Sequence, residues 1–397
     1  MAEHVDVVVV GAGPAGTAAA ITAAARGLRV VCVDKARFPR DKTCGDGLTA
    51  NALRLLEALG VSAGELAGTE PAFVRETVLV SPSGRRARLP LPTDGVHAAV
   101  VSRRSLDAAL LAVARRSGVD VREGCAIDGL EHDADAVHVR LADGAVLDTS
   151  FAIAADGHWS TVRRALEPDA PRDLGEWHAA RQYFEGVDDE RLWVIFERDL
   201  LPGYVWVFPL PGGRANVGYG VLRSDGRRGR ELRVLWPDLL ARPVLRDVLG
   251  PRARPTEPVR AWPIPSRYNP AALAHGRVLF AGDAAGVVDP MTGEGIAQAI
   301  ETGMLAAEAI ATGADYRRLV HRALGRDLRF AHLLQQVLRR PLGARAAIRA
   351  ADLTPWTRRS FARWMWEDYP RAVLATPDRW HRGAFTVPGA AFTTPDT

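Results

Sequence analysis

Lysine is nearly missing from this chain of 397 residues: of its 51 basic side chains, only Lys35 and Lys42 are not arginine. Forty-seven acids are interspersed among them, the formal net charge is only +4, and no run of like charge forms. A nucleic-acid footprint is therefore not expected. Cysteine is equally scarce. Cys32, Cys44 and Cys125 are too few and too scattered for a disulfide framework or a metal site, which fits a reducing cytoplasm. No apolar run approaches the roughly 20 residues that span a bilayer. The opening MAEHVD lacks a basic n-region, so neither a spanning helix nor a signal peptide is expected. Internal repeats and low-complexity linkers are absent too. What remains, 47% hydrophobic and 25% charged, is the composition of an ordinary soluble enzyme. Its length allows two cores or one large discontinuous domain.

The stretch from Val5 to Asp34 organises the rest. Val7–Val10 are four β-branched residues in a row, which suits a parallel strand buried on both faces. Gly11, Gly13 and Gly16 then spell G-x-G-x-x-G, with Ala15 inside the turn. The first glycine permits a tight turn, the second a close pyrophosphate, the third close helix–strand packing. The helix start beyond it offers N–H groups to phosphates. Asp34 follows Gly11 by 23 residues, at the end of a second apolar run and just before Lys35, where a carboxylate binds a ribose hydroxyl. Strand, turn, helix, strand and acid in register predict a dinucleotide site.

Further along, Leu48 to Leu59 has helical amphipathicity, and Ser105 to about Arg116 reads as another helix. Val74–Val80 with Arg85–Leu91, and Val137–Leu141 with Ala145–Phe151, read as hairpins. From about 166 to 265 apolar residues alternate among tryptophans and prolines, as in an antiparallel sheet with one face against something large. Val278–Ala281 returns to the buried-strand pattern before a long alanine-rich helix. Residues 315 to about 375 read as mostly helical and arginine-rich, and 376–397 as a loose tail.

Three distant segments thus share one plan: buried strand, sharp turn, polar or glycine-rich helix start. The second, Asp156-Gly157-x-x-Ser160-x-x-Arg163, and the third, Gly282-Asp283, resemble the fingerprints of FAD-dependent oxidoreductases of the para-hydroxybenzoate hydroxylase-like superfamily. That resemblance implies FAD. It places Asp283 on ribityl or ribose hydroxyls, Gly293, Glu294 and Gly295 (with Ile296 beyond them) beside the flavin ring, and Arg103, in R-x-x-x-D with Asp107, at the pyrophosphate.

Two features resemble the geranylgeranyl reductase family within that superfamily. One is Phe38-Pro39-Arg40-Asp41-Lys42-Thr43-Cys44-Gly45-Asp46-Gly47. The other is Tyr204-x-Trp206-x-Phe208-Pro209, then, after eight intervening residues, Gly218-x-Gly220. Tyr204, Trp206 and Phe208 have period 2 and project from one strand face. Gly218 and Gly220, placed on the neighbouring strand, leave room beside them for a long apolar substrate; the bland alternative is an aromatic core under a sheet. Cys44, Tyr204 and Trp206 are the catalytic candidates. Cys44 is weighed as a neighbour of substrate that helps deliver a proton, against a small apolar loop filler. Lys42 and Asp46 read as loop structure.

The resemblance implies a discontinuous Rossmann-like FAD-binding α/β domain (1–72, 100–165 and 270–335), an antiparallel β-sheet substrate domain (73–99 and 166–269), and a helical C-terminal segment with its tail (336–397). The implied activity is reduction of carbon–carbon double bonds in a prenyl or similar apolar polyene, with electrons from NAD(P)H or another external donor. A monooxygenase or halogenase stands as alternative. The halogenase signature G-W-x-W-x-I-P is only partly met by Gly203-Tyr204-Val205-Trp206-Val207-Phe208-Pro209. A non-catalytic prenyl-lipid carrier resembling the Rab GDP-dissociation inhibitors is the third reading. In 353–374, Phe361, Trp364, Met365 and Tyr369 fall at helical spacing among arginines. That pattern serves either peripheral membrane contact or, as the plainer expectation, packing on the domain.

Overall fold

The computed structural model describes residues 3–169, 174–223 and 229–379. The tail expected over 376–397 lies almost wholly outside them. Strand Glu3–Val10 occupies the middle of a parallel sheet, with Val7, Val8 and Val9 entirely buried. Val146–Ala154 and Val30–Asp34 flank it, with Val278–Phe280 and Asp120–Glu123 outside them. The glycine turn opens helix Pro14–Ala25, which packs on the long helix Ile296–Thr312. Gly303 allows that approach, because a Cβ there would fall 2.1 Å from the Ala15 carbonyl. The helix expected from Ser105 begins two residues earlier, at Arg103, where the Ser102 side chain caps it.

The second layer is an antiparallel sheet built on Trp177–Glu185, Arg214–Leu222, Tyr204–Leu210 and Leu192–Ile195. Hairpin Glu76–Val80 and Arg86–Pro90 joins it through a parallel pairing with Leu192–Ile195. Both its faces are covered, where alternation alone implied one. Val205 and Val207 pack with helices Gly229–Ala241 and Pro243–Leu249, which the strand reading of 166–265 passed over. Tyr204, Trp206 and Phe208 share the opposite face with Ile348, Phe361, Ala362, Met365 and Trp366.

Those last residues belong to helices Pro341–Ala351 and Pro355–Met365, with Trp366 capping the second, and both follow helix Tyr316–Leu338. The 353–374 stretch is thus not one helix. It stops at Met365, and its Phe361 and Met365 turn inward. Among the described residues, no helix is long and apolar enough to cross a membrane.

Candidate active site

The glycine turn builds a cradle for an anion. Gly11 has φ +99, and a Cβ there would meet the Ala155 carbonyl at 2.4 Å; one on Gly16 would meet the Gly11 carbonyl at 1.7 Å. Both must therefore be glycine. Gly13 differs: its nearest neighbours would be the Arg40 and Arg103 guanidinium tips, at 3.6 and 3.8 Å. Arg103 grips Asp107 in a fork of two 2.8 Å bonds. Arg40 Nη1 lies 2.9 Å from the same carboxylate but, poorly aligned, keeps no hydrogen bond. Two guanidiniums thus share one carboxylate, leaving positive charge over bare backbone at a helix start. Arg40 escaped the sequence reading because its loop has no periodicity to mark it.

Around this cradle, each predicted residue has a definite place. Asp34 accepts from the Ala12 and Ala36 N–H groups, both at 2.8 Å, and Lys35 beside it is exposed. Asp156 caps helix Thr161–Leu166 with one oxygen (2.7 Å to Thr161 N), while its other oxygen is buried without a partner. A Cβ on Gly157, which sits at φ +80, would meet nothing within 4 Å. Gly282 wedges between Ala15 and Ala299 at φ +61. Half-buried Asp283 sits within electrostatic reach of Arg103 and of Lys42, whose ammonium lies 3.9 Å from the Trp262 ring centre. Arg163 is structural: it holds the Ala272 and Ala284 carbonyls. The surplus of cation, the partnerless carboxylate oxygen and the open glycine backbone fit FAD.

The C-G-D-G loop lies against the sheet. Asp46, fully buried at φ +68, accepts from the Tyr183 hydroxyl (2.6 Å) and the Asn216 amide (2.8 Å). Burial nevertheless raises its carboxyl to about 6. Asn216 also donates to the Cys44 carbonyl (2.8 Å) and accepts from the Trp206 indole (3.0 Å). Burial pushes the Cys44 thiol up to about 11, so it stays protonated. Asn216 and Tyr183 carried no sequence signal, since neither belongs to a motif that marks its partner, more than a hundred residues away.

The loop after Asp289 faces C-G-D-G. Gly293 (φ +74) leads to Glu294 and then Gly295, which opens the helix at Ile296. Glu294 Oε1 would lie 3.4 Å from a Cβ on Gly47. Burial, then neighbouring Glu367, raises Glu294 to about 8. Its neighbours are satisfied. Asp289 accepts from Met291 N and Thr292 N and pairs with buried Arg371. Glu367 accepts from Thr49 (2.7 Å) and Gln298 (3.0 Å). Among the described residues no donor reaches the Glu294 carboxyl, so no hydrogen bond offsets the burial that raises it.

The aromatic wall is real, but its openings are not where expected. Tyr204 stands opposite Gly220, Trp206 opposite Gly218 and Phe208 opposite Asn216. A Cβ on Gly218 would strike Trp206 Cζ2 at 2.3 Å; the room beside Gly218 is filled by the indole itself. Gly220 faces Trp177. The Tyr204 hydroxyl donates to the Thr292 carbonyl in the Glu294 loop, and Phe208 lies against Gly45 and Gly47. The Tyr204 hydroxyl thus braces the Glu294 loop directly, and the Trp206 indole braces the Cys44 loop through Asn216.

Comparison with known proteins agrees with this geometry. Residues 4–315 match the FAD binding domain family. The chain is 35% identical over 330 residues to a menaquinone reductase of Mycolicibacterium smegmatis, covering 79% of this chain and 78% of that protein. It is 33% identical over 320 residues to a digeranylgeranylglycerophospholipid reductase of Methanothrix thermoacetophila, covering 77% of each. A geranylgeranyl bacteriochlorophyll reductase-like structure from Thermoplasma acidophilum superposes with TM-score 0.78 at 23% identity, over 95% of this chain and all of that one. A flavin-dependent halogenase shares the fold at TM-score 0.72 and 22% identity, over 94% of this chain and 72% of its own. The chain is an FAD-dependent oxidoreductase and belongs to the geranylgeranyl reductase family within the FAD-dependent oxidoreductase superfamily.

Proposed function

We propose that the protein saturates carbon–carbon double bonds in the prenyl chain of a lipid, with a polyprenyl quinone such as menaquinone as the first substrate to test. The carrying observation is the Glu294 carboxyl, raised to about 8 by burial, set against the C-G-D-G backbone beside an apolar cluster that runs from Tyr204, Trp206 and Phe208 to the C-terminal helices. When bound and reduced, FAD supplies a hydride. The π bond is then replaced by two C–H bonds, one from that hydride and one from a proton. Glu294 holds the proton at its carboxyl, and Cys44, also protonated, packs beside the path. An isolated alkene offers no carbonyl to polarise, so positioning and water exclusion carry most of the rate. The aromatic strand does this by fixing the Cys44–Gly47 loop through Asn216 and the Glu294 loop through Thr292. The two electrons come from NAD(P)H docking transiently or from a separate carrier.

Turnover of menaquinone and of a geranylgeranyl lipid under strict anaerobiosis, with dithionite as reductant, tests the reading. The product should gain two hydrogens per bond by mass spectrometry. Turnover that stops without oxygen would return the chain to the monooxygenase or halogenase alternative.

A further inference from the structure

We infer that the outer face of the C-terminal helices is a docking surface for an anionic lipid bilayer. Among the described residues, five of the ten exposed large hydrophobic side chains fall between 333 and 356: Leu333 (64% exposed), Val337 (50%), Leu342 (77%), Leu353 (65%) and Trp356 (64%). A soluble surface scatters such residues singly; grouped ones mark a partner. Helix Pro341–Ala351 buries Ala344, Ile348 and Ala351. Its exposed residues Leu342, Arg345, Ala346, Arg349, Ala350 and then Leu353 recur at helical spacing on the other side. The helix start presses on the end of the preceding one, for a Cβ on Gly343 would lie 3.1 Å from Val337 Cγ1. Val337 and Leu342 therefore flank one turn.

Charge selects the partner. Residues 339–351 contain Arg339, Arg340, Arg345 and Arg349 and no acid, so this short stretch carries as much positive charge as the whole chain has in net. The first acid, Asp352, is already engaged by Arg85 and Arg358. Apolar side chains set among arginines on one face are the chemistry of a bilayer interface rich in anionic headgroups. Continuity adds weight. A cavity of about 830 Å³ beside Leu333 reaches Val288 and Pro290, in the loop that leads to Glu294. The face is not the Phe361–Tyr369 stripe singled out by sequence spacing; Phe361 and Met365 pack inward and Tyr369 is buried.

The inference goes beyond the proposed reaction and is read without turnover. Flavin-loaded, full-length protein is floated with vesicles of equal parts phosphatidylglycerol and phosphatidylcholine, and with phosphatidylcholine alone. It should float with the anionic vesicles at low salt and be released at high salt. Arg345→Glu and Arg349→Glu should each weaken binding roughly fivefold or more. Leu342→Glu combined with Trp356→Glu should weaken it at least tenfold, with flavin content unchanged. Failure to bind anionic vesicles, equal flotation with neutral ones, or unaffected variants would overturn the inference. So would a stable dimer that Leu342→Glu splits, because a second copy would then cover the face.

Discussion

Replacing Glu294 by glutamine separates the carboxyl's proton from its shape. With the folded carboxyl at about 8, roughly nine in ten molecules hold the proton at pH 7. If that proton completes the reduction, single-turnover rate in the wild type should be level below pH 7 and fall about tenfold per unit above 8. Glutamine keeps the volume and has no such proton. Glu294→Gln should lose on the order of 10²–10⁴ in rate at pH 7, the usual range for a positioned acid, and show no inflection near 8. Stability should move the other way. The folded value lies above the ordinary 4.5, so the carboxyl's favourable contribution is complete below pH 4.5 and is lost as pH rises through 8. The full window amounts to about 5 kcal/mol and the part already lost at pH 7 to about 3 kcal/mol, as upper bounds. The variant should therefore be more stable than the wild type at pH 7, with the gap closing below pH 4.5. A better-folded and slower enzyme is the mark of a site strained for its task. Wild-type rate with the inflection retained, or a variant less stable at neutral pH, would refute the assignment.

Two further outcomes test the scaffold. Arg40→Ala should weaken FAD binding about ten- to a hundredfold by fluorescence titration, the value of a charge-assisted contact; unchanged affinity removes Arg40 from the cradle. Gly218→Ala places a methyl 2.3 Å from Trp206 Cζ2 and 2.4 Å from the Ala180 carbonyl, neither of which yields easily. It should cost about 1–3 kcal/mol or more, read as a lower urea midpoint, and a wild-type midpoint would show that the indole has somewhere else to go.

How much of this was legible follows from the range of the forces involved. The cofactor strand, turn and helix are written in consecutive residues, because β-branched runs and glycine spacing act locally. The aromatic strand was legible for the same reason: period 2 alone puts Tyr204, Trp206 and Phe208 on one face, and the register sets them opposite Gly220, Gly218 and Asn216. Whether the space beside a glycine is empty is a different matter, since at Gly218 the side chain opposite fills it. Asp46 read as loop structure, and structure is much of what it does, tying Tyr183 and Asn216 to one carboxylate. The two donors that hold its carboxylate lie more than a hundred positions away.

The C-terminal segment shows where local reading stops. Helical spacing continues from Phe361 to Tyr369, yet the helix ends at Met365, and the cause lies in other parts of the chain. Arg371 is buried among Asp289, Glu367 and the Trp364 and Met365 carbonyls, while Glu367 at φ +56 reaches Thr49 and Gln298. A buried guanidinium needs partners on every side, and only a chain that turns back can supply them. The result is electrostatic as well as mechanical. Three carboxylates, Asp289, Glu294 and Glu367, gather near one Arg371, with Asp46 within electrostatic reach of Glu294. Burial, then these neighbouring carboxylates, raise the Glu294 carboxyl to about 8. Glu367, beyond the matched FAD binding domain, thus adds to the burial that raises a carboxyl within it, which is why the chemistry of Glu294 cannot be read from the loop that carries it.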